Sequence, residues 1–261
     1  MRTIKFKESL VSIILPVRQA EKTLSDCLES LLSQTHTNIE IIAIDDNSKD
    51  KSFKILKKYR AQDKRLIISQ NVKKYGLTIT LNRSLKKSRG KYIALMNARD
   101  ISTPDRIKRQ LFYLKRHPKI SAVGTQVTYI NERQKKLDKS MFPTDSDTIH
   151  KTLVNKNVMQ LESLMINRFL LPKDLLKFDP LNYPLVYRAL VLKIIHYGSL
   201  TNLNQHLYLR RRHEEWRLDE LSNHLFTHIA LWLKARFIYD ARPSLNSLLY
   251  PLNNRLRGST T

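Results

Sequence analysis

The stretch KYIALMNARDISTP, residues 91–104, decides the fold. Tyr92 to Met96 form a short continuous apolar run, the pattern of a strand covered on both faces. The run breaks into Asn97-Ala98-Arg99-Asp100. Thr103-Pro104 then opens a helix, with Ile107, Leu111 and Leu114 at helical spacing and Pro118 beyond its end. Strand, polar loop and helix in that order are the repeating unit of a parallel sheet.

Three earlier segments repeat the unit. LVSIILP (10–16) precedes Leu24, Leu28, Leu31 and Leu32 at helical spacing. NIEIIAIDD (38–46) ends in two carboxylates, and Ser48 stands where it could cap a helix carrying Ile55, Leu56 and Tyr59. RLIISQ (65–70) precedes Leu77, Leu81 and Leu85, with Gly90 expected as the left-handed residue ending that helix. Four such units in ~110 residues predict an α/β fold with a mostly parallel central sheet, right-handed crossovers and helices on both faces. Ligands of such sheets bind outside the carboxyl ends of the strands. Pro16–Gln19, Asp45–Ser48, Asn71–Gly76 and Asn97–Asp100 are therefore expected to meet at one cleft.

Beyond residue 119 the pattern predicts a strand at 121–130, a polar turn at 131–138 and a strand at 163–171. A helix is expected at 184–197 with Gly198 as its stop, then a strand at 206–213. Leu221, Leu225, Ile229, Trp232, Leu233 and Phe237 form an apolar stripe on a helix over 218–239. The expected division is a main domain, residues 1–215, and a C-terminal helical extension, 216–261.

Lysine and arginine number 47 against 23 acidic residues, a net charge of +24, and 41% of the 261 residues are apolar. The apolar share describes a globular chain. The charge attracts polyanions: an anionic membrane leaflet, phosphorylated substrates or nucleic acid. Nucleic acid is disfavoured, because the aromatic residues do not interleave with the basic ones as a single-strand platform requires. The single Cys27 excludes an intramolecular disulfide and suits a reducing compartment. MRTIKFKES is too short and charged to read as a signal peptide, and no run is long enough to cross a bilayer. A cytoplasmic protein is expected, peripheral on the inner face of the membrane.

VSIILPV…AEKTLSDCLESLLSQTHTNIEIIAIDDNSKDKS resembles the opening of family 2 glycosyltransferases of the GT-A, Rossmann-like fold. The likeness continues through GLTITLNRSLKKSRGKYIALMNARDISTPDRIKRQ and HPKISAVGTQ, then SLMINR, HYGSLTNL and RRRH, covering roughly residues 9–215. It implies transfer of a sugar from a nucleotide-sugar donor, UDP-linked here, to a surface-glycan or lipopolysaccharide-type acceptor, with inversion. A glycan or lipid-linked acceptor is the second expected partner.

The resemblance also implies a site in three parts. Carboxylates at the second strand bind the nucleoside; Asp46 matches the position that meets uracil or ribose, and Asp45 and Ser48 flank it. Pro16, Val17 and Arg18 at the first strand end, with Asn82, Asn97 and Arg99, complete the expected nucleotide contacts. The second part is a D-x-D motif that holds Mg²⁺ or Mn²⁺ against the diphosphate. Here it reads Asn97-Ala98-Arg99-Asp100. A guanidinium repels a cation but pairs bidentately with phosphate, so no metal ligand is assigned, Asp100 being the alternative, and metal independence is expected. The third part, an acidic pair supplying the base, falls on Val186-Tyr187. Arg99, Asp100 and His213 are the candidate catalytic groups, with Tyr187 at the position of the base and Arg211 beside the diphosphate. Glu162, Asp174 and Asp179 are the other carboxylates in reach. The alternative is a pseudo-glycosyltransferase that binds nucleotide, glycan or a partner without transferring sugar.

Overall fold

The computed structural model describes residues 9–154, 157–212 and 220–237. The first half alternates as expected: β1 (Val11–Val17), α1 (Leu24–Leu32), β2 (Ile39–Asp45), α2 (Ser52–Gln62), β3 (Leu66–Gln70), α3 (Leu77–Lys87) and β4 (Tyr92–Leu95). These four strands lie parallel in the order β3-β2-β1-β4. Their continuous apolar runs follow from burial on both sides. Ile13, Leu15 and Val17 pack into one core with Leu24, Leu28 and Leu31, while Ile14 joins Ile42, Ile44, Leu81 and Leu85 in the other. Each such side chain contributes roughly 1.5–3 kcal/mol by leaving water.

The second half is mixed: β5 (Ile101–Ser102), α4 (Arg106–Arg116), β6 (Ile120–Ile130), β7 (Lys136–Lys139), α5 (Ser146–Thr152), β8 (Met165–Asn167), α6 (Val186–Ile194), β9 (Ser199–Arg211) and α7 (Glu220–Phe237). β8 enters antiparallel between β4 and β6, β9 runs parallel to β6, and β5 pairs antiparallel with the far part of β9. That last pairing brings Tyr208 and Leu209 alongside the loop after β4.

Several local expectations are corrected. Ser48 does not cap α2, whose first residue is Ser52; its hydroxyl hydrogen-bonds the Asp45 carboxylate instead. The left-handed glycine is Gly76, φ 88°, just before α3, rather than Gly90. Gly90 is small for another reason: a Cβ there would lie 2.6 Å from the Ser12 hydroxyl and 2.9 Å from the Leu10 carbonyl. The segment read as a polar turn at 131–138 includes the start of β7, paired with β6. The strand expected at 163–171 shrinks to β8, because short 3₁₀ turns at Leu161–Ser163 and Arg168–Leu170 flank it. Pro104 and Asp105 form the turn before α4, which begins at Arg106, and β9 starts at Ser199, earlier than expected.

α7 packs Leu231, Trp232 and Ala235 into the same core as α6. Of the expected stripe, Trp232 is buried, whereas Leu233 and Phe237 face outward.

Candidate active site

The loops after β1, β2 and β3 are tied together by side chains from β2. Asp45 is fully buried and accepts from the Ser48 amide at 3.1 Å and Gln70 Nε2 at 2.9 Å. Asp46 accepts from Asn71 Nδ2 and from the backbone amides of Tyr75 and Gly76, each at 2.8 Å. Burial pulls its pKa up, but those three N–H donors and the Arg18 guanidinium outweigh burial and hold it below the ordinary carboxylate range. Arg18 Nη1 donates to the Asp46 carbonyl at 2.9 Å and lies 3.9 Å from its carboxylate. The Val17 carbonyl accepts from the Asp46 amide, and the half-buried Pro16 ends the same rim.

Both carboxylates thus build the floor of the cleft. Asp46 holds the 71–76 loop. Both ends of the Asn82 amide bond the Phe178 backbone, at 2.8 Å each.

The loop after β4 is bonded from every side. Asn97 Oδ1 accepts from the Arg99 amide, the Asn97 amide donates to the Tyr208 hydroxyl, and Thr23 donates to the Ala98 carbonyl. The Cys27 thiol approaches the Asn97 carbonyl; burial pushes its pKa up, so it remains a neutral thiol. Asp100 is buried, accepting from the Tyr208 hydroxyl at 2.7 Å and the Arg211 amide at 2.9 Å. Burial raises its pKa to about 6 against the opposing bonds from Tyr208 and Arg211, and the Glu162 charge adds to the rise.

Arg211 does not face the cleft. Its buried guanidinium bonds the Arg99 carbonyl at 2.8 Å, the Glu132 carbonyl at 2.8 Å and the Asp26 carboxylate on α1. It fixes the 97–100 loop to α1 and is a positioning residue. Below the loop, Arg106 is fully buried, donating Nη1 to the Leu95 carbonyl with its guanidinium 5.4 Å from the Tyr208 ring. Desolvation lowers its pKa to about 10. Arg99 differs from both: its side chain is exposed, and no ion pair holds its guanidinium among the described residues.

The family's divalent cation does not fit this donor set. Asp100, the carboxylate at the metal position, is spent on a phenol and an amide, and the described residues contain no cluster of three acidic, histidine or cysteine side chains suited to an ion. Tyr187, at the position of the base, packs edge-on against Phe178 at 5.5 Å, and burial pushes its pKa well up, so it cannot take a proton near neutrality. Asp179 caps a 3₁₀ turn by accepting from the Leu181 amide. His213 lies outside the described residues.

One carboxylate does face this region. Glu162 is half-buried on the turn before β8, bonded by Gln160 Nε2. Gln160 Oε1 in turn accepts from Arg210 at 2.8 Å. The Glu162 charge acts on Tyr208 and Tyr187 as well as on Asp100. Tyr208 and Arg211, which bond the loop from 108 and 111 residues away, carry no local sequence signal.

Loops gathered at the carboxyl ends of a half-parallel, half-mixed sheet define the GT-A class of nucleotide-sugar folds. The structure resembles S. aureus TarS, residues 1–349, in complex with UDP-GlcNAc, with TM-score 0.71, 18% identity and coverage of 95% of this chain and 72% of that one. Residues 12–172 match the model described as glycosyl transferase family 2, and the chain belongs to that family. It is 36% identical over 106 residues to the UDP-Glc:α-D-GlcNAc-diphosphoundecaprenol β-1,3-glucosyltransferase WfaP of Escherichia coli, covering 41% of each chain. It is 30% identical over 177 residues to the uncharacterized glycosyltransferase MJ1057 of Methanocaldococcus jannaschii, covering 65% of this chain and 59% of that one. The chain spans about half the length of the curated relatives it matches.

Proposed function

We propose that the chain transfers a sugar from a UDP-linked donor to a lipid-linked glycan acceptor, with inversion and without a resident divalent cation. The observation that carries this reading is the exposed guanidinium of Arg99, held by no ion pair among the described residues, next in sequence to a carboxylate already committed to Tyr208 and Arg211. A fixed cation at that spot neutralises the diphosphate as the bond from its oxygen to the anomeric carbon breaks. Arg18 and the 16–18 backbone meet the nucleoside over the floor shaped by Asp45, Asp46 and Ser48. Glu162 is the base: it takes the proton of the acceptor hydroxyl as that oxygen bonds the anomeric carbon, and UDP leaves with the electron pair. A relative whose name specifies a UDP-sugar donor and a diphosphoundecaprenol acceptor supports this choice of substrates.

The test is UDP binding and turnover with a panel of UDP-sugars and diphospholipid-linked acceptors, each with Mn²⁺ and with EDTA. Arg99→Ala is expected to weaken UDP binding about tenfold, the value of one charge-assisted contact, and Glu162→Gln to lower turnover ~10²–10⁴-fold. Strong tightening of UDP binding by Mn²⁺, or an Arg99→Ala protein that binds UDP unchanged, overturns it. The burial of Tyr187 against Phe178 favours a second reading, a nucleotide-binding protein without transfer. UDP binding with no turnover on any acceptor selects that one.

A further inference from the structure

α7 carries two apolar stripes on opposite sides. His228, Leu231, Trp232 and Ala235 recur at i, i+3, i+4 and i+7 and are buried. Phe226, Ala230, Leu233 and Phe237 recur at i, i+4, i+7 and i+11, half a turn away, and all are exposed. Phe226 is 72% and Phe237 77% accessible. A helix needs one apolar stripe to pack on its domain; the second faces solvent among the described residues.

Charge selects what covers it. From Leu221 to Phe237 there is no acidic residue, and the last turn carries Lys234 and Arg236 beside the outer stripe. A second copy of this chain also carries +24 and is repelled, whereas an anionic bilayer is attracted to that charge and solvates aromatic side chains at its interface. No described helix is long and apolar enough to cross a membrane, so the stripe suits a helix lying on the surface. We propose that the outer face of α7, within the extension at 216–261, docks the protein on an anionic phospholipid bilayer, with Phe226, Leu233 and Phe237 inserted among the headgroups and Arg236 on the rim. The proposal agrees with a lipid-linked acceptor but does not rest on sugar transfer, because its test contains neither donor nor acceptor.

The full-length protein is sedimented with vesicles of phosphatidylcholine alone and with vesicles containing 30% phosphatidylglycerol, at low and high salt. Wild type is expected to bind the anionic vesicles and to be partly released by salt. Phe226→Ser/Leu233→Ser/Phe237→Ser is expected to bind at least tenfold more weakly at the same melting temperature. Equal binding by that variant overturns the proposal. So does a wild-type dimer that the variant converts to monomer, which assigns the face to a second copy. So does a large fall in melting temperature, which assigns it to packing within the chain.

Discussion

Asp46 after β2 and Asp100 after β4 stand at the same edge of one sheet, each 3% exposed, yet the protein treats them in opposite ways. The first is held ionised and the second is pushed toward its neutral form. Equal exposure hides unequal depth: protein surrounds Asp100 far more completely, and desolvation is the largest cause of its raised pKa. Donors widen the gap: Asp46 receives three N–H groups with a guanidinium alongside, whereas Asp100 receives one amide and one phenol and feels the negative charge of Glu162. A carboxylate at a strand end is held ionised or pushed toward its neutral form according to its depth and the donors its own chain supplies.

The most severe way to break this contrast is to release the second loop. Arg211→Met removes the link between the Arg99 carbonyl and the Asp26 carboxylate and leaves two carbonyls unmatched; urea denaturation is expected to record a loss of about 4 kcal/mol. A loss under about 1 kcal/mol would mean that other bonds secure the loop. Next comes Asp46→Ala, which leaves the Tyr75 and Gly76 amides and the Asn71 side chain without their acceptor. It is expected to cost about 3 kcal/mol and to expose the 71–76 segment to proteolysis; an unchanged cleavage pattern there would argue against its role as floor.

The smallest effect sharpens the comparison most. Asp100 has a folded pKa of about 6 against an ordinary 3.8. Its contribution to stability is therefore full below the unfolded value and is lost as pH rises through 6. Wild type should lose about 2 kcal/mol relative to Asp100→Asn between pH 4 and pH 7, at 1.36 kcal/mol per pKa unit. A difference between the two proteins that stays flat across that range would show that folding leaves the Asp100 carboxyl at its ordinary pKa.

How far the sequence reaches differs between the two regions. β1 to β4 are legible because burial on both faces leaves unbroken apolar runs, and the loops that follow them are legible with the strands. β7 is not, because four residues bounded by turns make no periodic signal, and of the strand expected at 163–171 only the three residues of β8 form. In the site, the arginines at 99, 106 and 211 read alike as letters, and only tertiary burial separates an exposed guanidinium from one under the loop and one clamped to α1. Asn82 shows the converse, a polar residue at a family position whose amide is used by the Phe178 backbone.

The partners of Asp100 lie 108 and 111 residues further along the chain. During synthesis, the parallel part from β1 to β4 leaves the ribosome with all of its strands present, but its last loop still lacks the phenol and amide it bonds in the finished fold. A nascent chain that ends before Tyr208 can shape the floor around Asp46 and cannot assemble the loop that carries Arg99. The cleft is completed only when β9 arrives, so its two halves mature in sequence, the floor first.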